Sequence, residues 1–268
     1  MRYDVNVSTT EIESAKAQIE SYRNEIDNHS YSVEEAYSKV SAKIQDAIAK
    51  YEESFKNLGI DIDEAEYIYS CNEVELDKQD AAAERAASAA GTTPVKCDRS
   101  VQTELRKLIN NLQRQRGIVQ QTISNLNSNL NNFDRLVSDL RKFYDSVKKE
   151  LSNCLSMAQN AQKHIESAIR TLSFGDKSQG SLCITSINVL ASYARQFDNI
   201  KASVLSDRND IRYSLASFTQ NLTDDVSALS RETVDRVTSE VSESMQIVSD
   251  AARALRETCR ILSCYLSA

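Results

Sequence analysis

Apolar residues recur every seven positions through most of this chain. The longest such stretch runs from Val101 to Leu172. One row reads Leu105, Leu112, Val119, Leu126, Phe133, Leu140, Val147, Cys154, Ala161, Ala168. A second, four residues on, reads Ile109, Arg116, Ile123, Leu130, Val137, Tyr144, Leu151, Ala158, Ile165, Leu172. Of these twenty positions only Arg116 is charged. Two such rows form the seam along which a long helix pairs with its neighbours. At about 1.5 Å per residue, a helix over this stretch is about 100 Å long.

Before it, the pattern predicts three helices, about 10–28, 33–58 and 62–90. The first carries Ile12, Ile19 and Ile26 and starts at a Thr10–Glu13 capping box, with Ser8–Glu11 offering the same one turn earlier. The rhythm weakens over Asn28-His29-Ser30-Tyr31-Ser32, and Ser32 with Glu35 reads as a fresh start. The second helix has a broad stripe, from Val33, Tyr37 and Val40 to Phe55 and Leu58. Gly59 can close it in the left-handed conformation, and Asp61 or Asp63 can cap the third. The third carries Ile62, Tyr69, Leu76, Ala83 and Ala90.

Gly91-Thr92-Thr93-Pro94 is the clearest break, because proline cannot continue a helix. A linker over 91–100 follows, with Ser100 as the expected cap of the central helix. A turn is predicted at 173–181. Beyond it, Cys183, Leu190, Phe197, Val204 and Ile211 open a last seam. That seam shifts register through Leu222, Val226 and Leu229, then resumes as Val234, Val241, Val248, Leu255 and Leu262. We read one helix with a change of winding there, in preference to a break near Asn221–Asp225. The predicted fold is all-α: an elongated helical bundle built on a long antiparallel coiled-coil hairpin. In it 101–172 lies against 182–267, residue i lies beside about 354 − i, and an N-terminal section of residues 1–90 packs on the pair.

The seam widens towards the turn. Leu136, Phe143, Leu155 and Met157 flank it on one side, and Tyr193 and Ile200 join Phe197 on the other. Exposed apolar surface is unfavourable by about 25 cal/mol per Å², so a wide stripe needs a second neighbour. These seven residues are therefore the expected partner-binding positions, for a partner helix or a second copy. The alternative, that the N-terminal helices continue upwards and cover them, makes a self-contained bundle.

Composition supports long helices: one proline, five glycines and no tryptophan in 268 residues. Charge is segregated. Residues 1–100 hold 11 Lys/Arg against 21 Asp/Glu, and 101–180 hold 12 against 7. An acidic N-terminal section along a basic central helix accounts for this, with Arg106, Lys107, Arg114 and Arg116 facing the carboxylates of 61–80. The acidic balance disfavours nucleic acid and anionic membrane surfaces. Six cysteines without a C-x-x-C pair read as reduced thiols of a cytoplasmic protein. No apolar run approaches the ~18 residues of a membrane span, and the polar N-terminus does not resemble a secretory signal.

No chemical constellation emerges. His29 and His164 are isolated, Gly175 and Gly180 lack the lysine of a P-loop, and no Cys/His set has zinc spacing. No catalytic, cofactor or metal site is expected, and no small-molecule substrate. Two families invite comparison. A long three-helix chain of this length looks like BAR-type membrane-curving modules, although the basic residues such a surface uses are few. Tyr31–Glu35 and Tyr69–Glu73 are similar to the Tyr-x-x-x-Asp/Glu signal of helical-hairpin substrates of type VII secretion, whose Trp-x-Gly turn is missing here. The expected function is a non-enzymatic structural or assembly protein that docks or spaces protein partners, or copies of itself, through coiled-coil seams. A secreted effector or export partner of a type VII-like system, exported without a cleavable signal, is the runner-up, and a BAR-like peripheral membrane module comes third.

Overall fold

The structure is a computed structural model that describes residues 7–174, 180–219 and 224–267. The side chains at 27, 29, 30, 32, 217–219, 224–226, 229, 233 and 237 are not described. Among the described residues there are four helices: α1 (Thr10–Ala90), α2 (Ser100–Phe174), α3 (Gly180–Thr219) and α4 (Asp224–Ser267). The all-α fold is as expected. Two compact units form: residues 1–40 with 132–268, and residues 41–131.

Helix α1 runs unbroken through both breaks expected within it. The reason lies in phase. Ile12, Ile19, Ile26, Val33 and Val40 keep strict seven-residue spacing across 28–32, and all five are buried. A capping box starts a helix only where the apolar phase also resets, and here it does not. Gly59 likewise stays helical, buried in the seam of residues 41–131. A Cβ built on it would stand 3.4 Å from Nη2 of Arg116. An added methyl would thus meet Arg116, the one charged side chain of the seam, in ordinary van der Waals contact; the Arg116 guanidinium lies 4.4 Å from the centroid of the Phe55 ring. Gly59→Ala is therefore expected to raise stability by about 0.5–1 kcal/mol, the helical preference of alanine over glycine. The urea midpoint checks this; a helix-closing glycine would instead make the variant less stable.

The unit of residues 41–131 is an antiparallel pair made by residues 41–90 of α1 and 100–131 of α2. Its register is read from Arg116 on Phe55, Gln113 on Glu66 and Arg106 on Tyr69. Buried Gln102 donates to the Tyr69 carbonyl at 2.9 Å and accepts from Asn72 at 2.9 Å. A buried polar side chain satisfied at both ends fixes register, because any slip leaves it unpaired. Gly91, at φ 70°, closes α1, and the Thr92 N–H returns to the Ala87 carbonyl at 3.0 Å. Asp98, rather than Ser100, caps α2: its carboxylate accepts the Ser100 N–H and hydroxyl, each at 2.9 Å.

The other unit packs four helical segments, each antiparallel to the next in chain order. Glu34 meets Arg141, and Tyr37 meets Phe133 and Asp134, joining α1 to α2. His164 meets Tyr193, joining α2 to α3. That contact falls near the expected pairing of i with about 354 − i. Helix α4 departs from the expectation. It is not a continuation of α3 but packs against it, with Lys201 on Ser249, Arg208 on Ser242 and Asp198 on Arg256. The described part of α3 ends at Thr219 and α4 starts at Asp224; the alternative, a break near Asn221–Asp225, falls largely on residues 220–223, which lie outside the described set, as do 175–179 of the expected turn. Tyr22 donates to Glu243 at 3.2 Å, joining α4 to α1.

This return explains the wide stripe. Residues 133–172 of α2 bury Leu136, Val137, Leu140, Phe143, Tyr144 and Val147 within about three turns, more than one seam can use. A helix in a four-helix unit touches neighbours on two sides and the diagonal, and its apolar face widens to match.

Candidate partner-docking face

The seven residues expected to bind a partner lie elsewhere than expected. Leu136, Phe143, Leu155, Met157 and Phe197 are buried in the four-helix unit, and Tyr193 and Ile200 are half-buried. The first five are core. α1 and α4 supply the neighbours that the stripe requires.

Surface apolar residues collect in the other unit. Among the described residues, nine of the fourteen large hydrophobic side chains that stay exposed belong to residues 41–131. Of the other five, Phe174, Leu182 and Ile184 flank the ends of α2 and α3, while Tyr31 and Tyr213 stand alone. A two-helix pair has one seam and two outer backs, and it cannot enclose apolar positions placed on those backs.

Four of the nine cluster on one helix. Along α1, Ile62, Ala65, Tyr69 and Leu76 point into the seam. Ile60, Tyr67 and Val74 repeat at seven-residue spacing on the opposite side, 52%, 72% and 55% exposed. Cys71 falls on the same row, exposed. Ile68 borders the row. At 100° per residue these positions form one straight stripe about four turns long. The helix is therefore apolar on both faces over this stretch, although only one face meets α2.

Carboxylates bracket the stripe. Asp61 and Glu75 stand along one side, Asp63 and Asp77 along the other, and Glu64 lies in it, all exposed. Residues 60–75 hold six carboxylates and neither lysine nor arginine. The expected neutralisation by α2 is partial. Arg106 hydrogen-bonds the Tyr69 hydroxyl at 2.6 Å and lies over its ring instead of pairing a carboxylate. Arg99 closes ion pairs with Asp77 at 2.7 Å and Asp80 at 2.9 Å. Asp80 also accepts the Cys97 N–H at 2.7 Å. That backbone bond first, and Arg99 second, hold its carboxyl down at about 2. Asp80 and Arg99 thus tie the linker to the end of α1.

In comparison with known proteins, no family model matches the chain, and no curated protein or solved structure matches it.

No group of three or more His, Cys, Asp or Glu side chains among the described residues is placed to hold a metal ion. His164 stacks edgewise on Tyr193, 6.5 Å between centroids; the side chain of His29 lies outside the described residues. Cys154 is buried in the α2 seam, where desolvation pushes its thiol up to about 12. Enclosed spaces in the four-helix core are about 20 Å³ beside Phe133 and about 10 Å³ beside Tyr144, at most the size of one water molecule. A larger space between the first turns of α1 and the end of α4 is an open groove with Glu11, Asp250, Arg253 and Glu257 on its walls. Its charges are mixed in sign.

The stripe was legible in the sequence. Ile60, Tyr67 and Val74 stand seven apart, out of phase with the seam row Ile62, Tyr69, Leu76. Attention to the acidic run alone hides it, because the carboxylates outnumber the apolar residues between which they fall.

Proposed function

We propose that the chain is a non-enzymatic structural or assembly protein that docks a partner protein on residues 41–131. Its four-helix unit meets its own packing needs and serves as a stable body. The two-helix unit acts as a short coiled coil whose outer face receives the partner, in the manner of a helix laid on an apolar row. One observation carries this reading: the exposed large apolar side chains gather on the unit with the least capacity to cover them. Aromatic and aliphatic side chains ringed by polar ones are the usual anchors of protein recognition. No described helix is long and apolar enough to cross a membrane, and the carboxylate rim repels anionic lipid and nucleic acid alike. Six free thiols, two of them exposed, suit a reducing, cytoplasmic setting.

Affinity purification of the tagged protein from its own cells tests the proposal. Wild type and a Tyr213→Glu control are expected to carry the same partner in fixed ratio, and Tyr67→Glu to lose it. A partner retained by Tyr67→Glu, or no partner on any of the three, would overturn the docking role of this unit.

A further inference from the structure

The geometry points to the occupant of the α1 outer face: a basic amphipathic helix of a partner protein. This rests on the docking role proposed above and deepens it. Three features of the face specify the occupant. The apolar row Ile60, Tyr67, Cys71, Val74 is straight and seven-residue in period, which matches the a/d row of a second helix and not an extended strand, whose side chains alternate. Acidic side chains stand along both edges of that row, so the occupant has cationic side chains on both flanks of its apolar stripe. And of the six carboxylates of residues 60–75, Glu75 alone meets a cation among the described residues, Lys78 at 3.9 Å. Asp61, Asp63 and Glu64 close no ion pair among the described residues, so their mutual repulsion is relieved when a cationic helix arrives.

A second copy of this chain fits poorly. Two copies of the face would oppose acid to acid. On α2 of the same unit Val101 and Leu108 stand exposed seven residues apart, but the row goes on as Gln115, Ile118 lies off it, and Glu104 stands beside the two cations Lys107 and Arg114. An anionic membrane or nucleic acid meets the same like-charge rim.

The test uses the full chain and a synthetic peptide probe. The probe is an amphipathic helix of about three heptads with leucine at a and d and lysine or arginine at e and g. Two controls accompany it: the same helix with glutamate at e and g, and a helix of the probe's composition with its leucines dispersed. Fluorescence anisotropy is expected to give the probe at least tenfold tighter binding than either control. Tyr67→Glu is expected to weaken it at least tenfold, and the double variant Asp61→Lys, Glu75→Lys to remove most of its salt dependence. Circular dichroism of both variants is expected to match wild type, because the altered side chains are exposed. Bound probe should also shield Cys71 from maleimide while leaving Cys264, exposed near the C-terminus, reactive. Equal binding of the dispersed control, or unchanged binding by Tyr67→Glu, would overturn the inference, as would a dimer by light scattering that Tyr67→Glu dissolves. A native partner that is lost with Tyr67→Glu but contacts the face through a neutral or acidic segment would sink this inference and leave the docking role standing.

Discussion

Phe197→Ala is expected to lower the stability of the four-helix unit by about 3–5 kcal/mol, the cost of deleting a fully buried phenylalanine and leaving the space behind. The ring is 1% exposed. It projects from α3, whose neighbours here are α2 and α4. Domains of this kind hold only about 5–15 kcal/mol in total, so the variant should unfold at a visibly lower urea concentration. The wide-stripe reading of the sequence makes a different prediction: a partner-facing Phe197 would change association and leave folding almost untouched. Urea unfolding followed by circular dichroism separates the two. A midpoint equal to wild type would return Phe197 to the surface and undo the four-helix assignment.

Tyr144→Phe is expected to act in the opposite direction, raising stability by about 1 kcal/mol. The Tyr144 side chain is buried, and its hydroxyl has no protein hydrogen-bond partner. The adjoining space of about 10 Å³, lined by Tyr22, Ile26 and Glu240, lies at the lower limit for a water molecule. A buried hydroxyl left unpaired costs about 1–3 kcal/mol, and removing it recovers part of that. Burial first, and the nearby Glu240 carboxylate second, push the phenol upwards, so it stays neutral through the physiological range. Thermal unfolding checks the sign. A lower Tm in Tyr144→Phe would mean the hydroxyl is engaged and contributing.

How much of this was legible in the sequence depends on which signal is asked. The seam rows of α2 were fully readable, because only strict periodicity places Leu105 to Ala168 on one line. The pairing of α2 with α3 followed from the position of the turn. The continuity of α1 was also present, in the unchanged phase of Ile12 to Val40, but Ser32 and Gly59 spoke locally for breaks. Tertiary burial overrode both: a helix held by a seam on each side of a weak point does not stop there. The fold-back between α3 and α4 was harder. A register shift of the seam is compatible with a change of winding or with a reversal, and the two differ only in which helices lie alongside. The candidate site depends on that point. With α4 sent away from the wide stripe, Phe143 and Phe197 seemed uncovered; with α4 returned, they are core, and the uncovered residues are Ile60, Tyr67 and Val74.

The docking account is tested most directly by photo-crosslinking in living cells, with a photoreactive amino acid placed at position 60, 67 or 74 and, as control, at position 213. These positions are all exposed, so incorporation should leave the fold intact. The account predicts one discrete heterologous adduct from 60, 67 and 74, mapping to a helix rich in lysine or arginine, and none from 213. Adducts from 213 equal to those from 67, or no adduct from the α1 face, would contradict it.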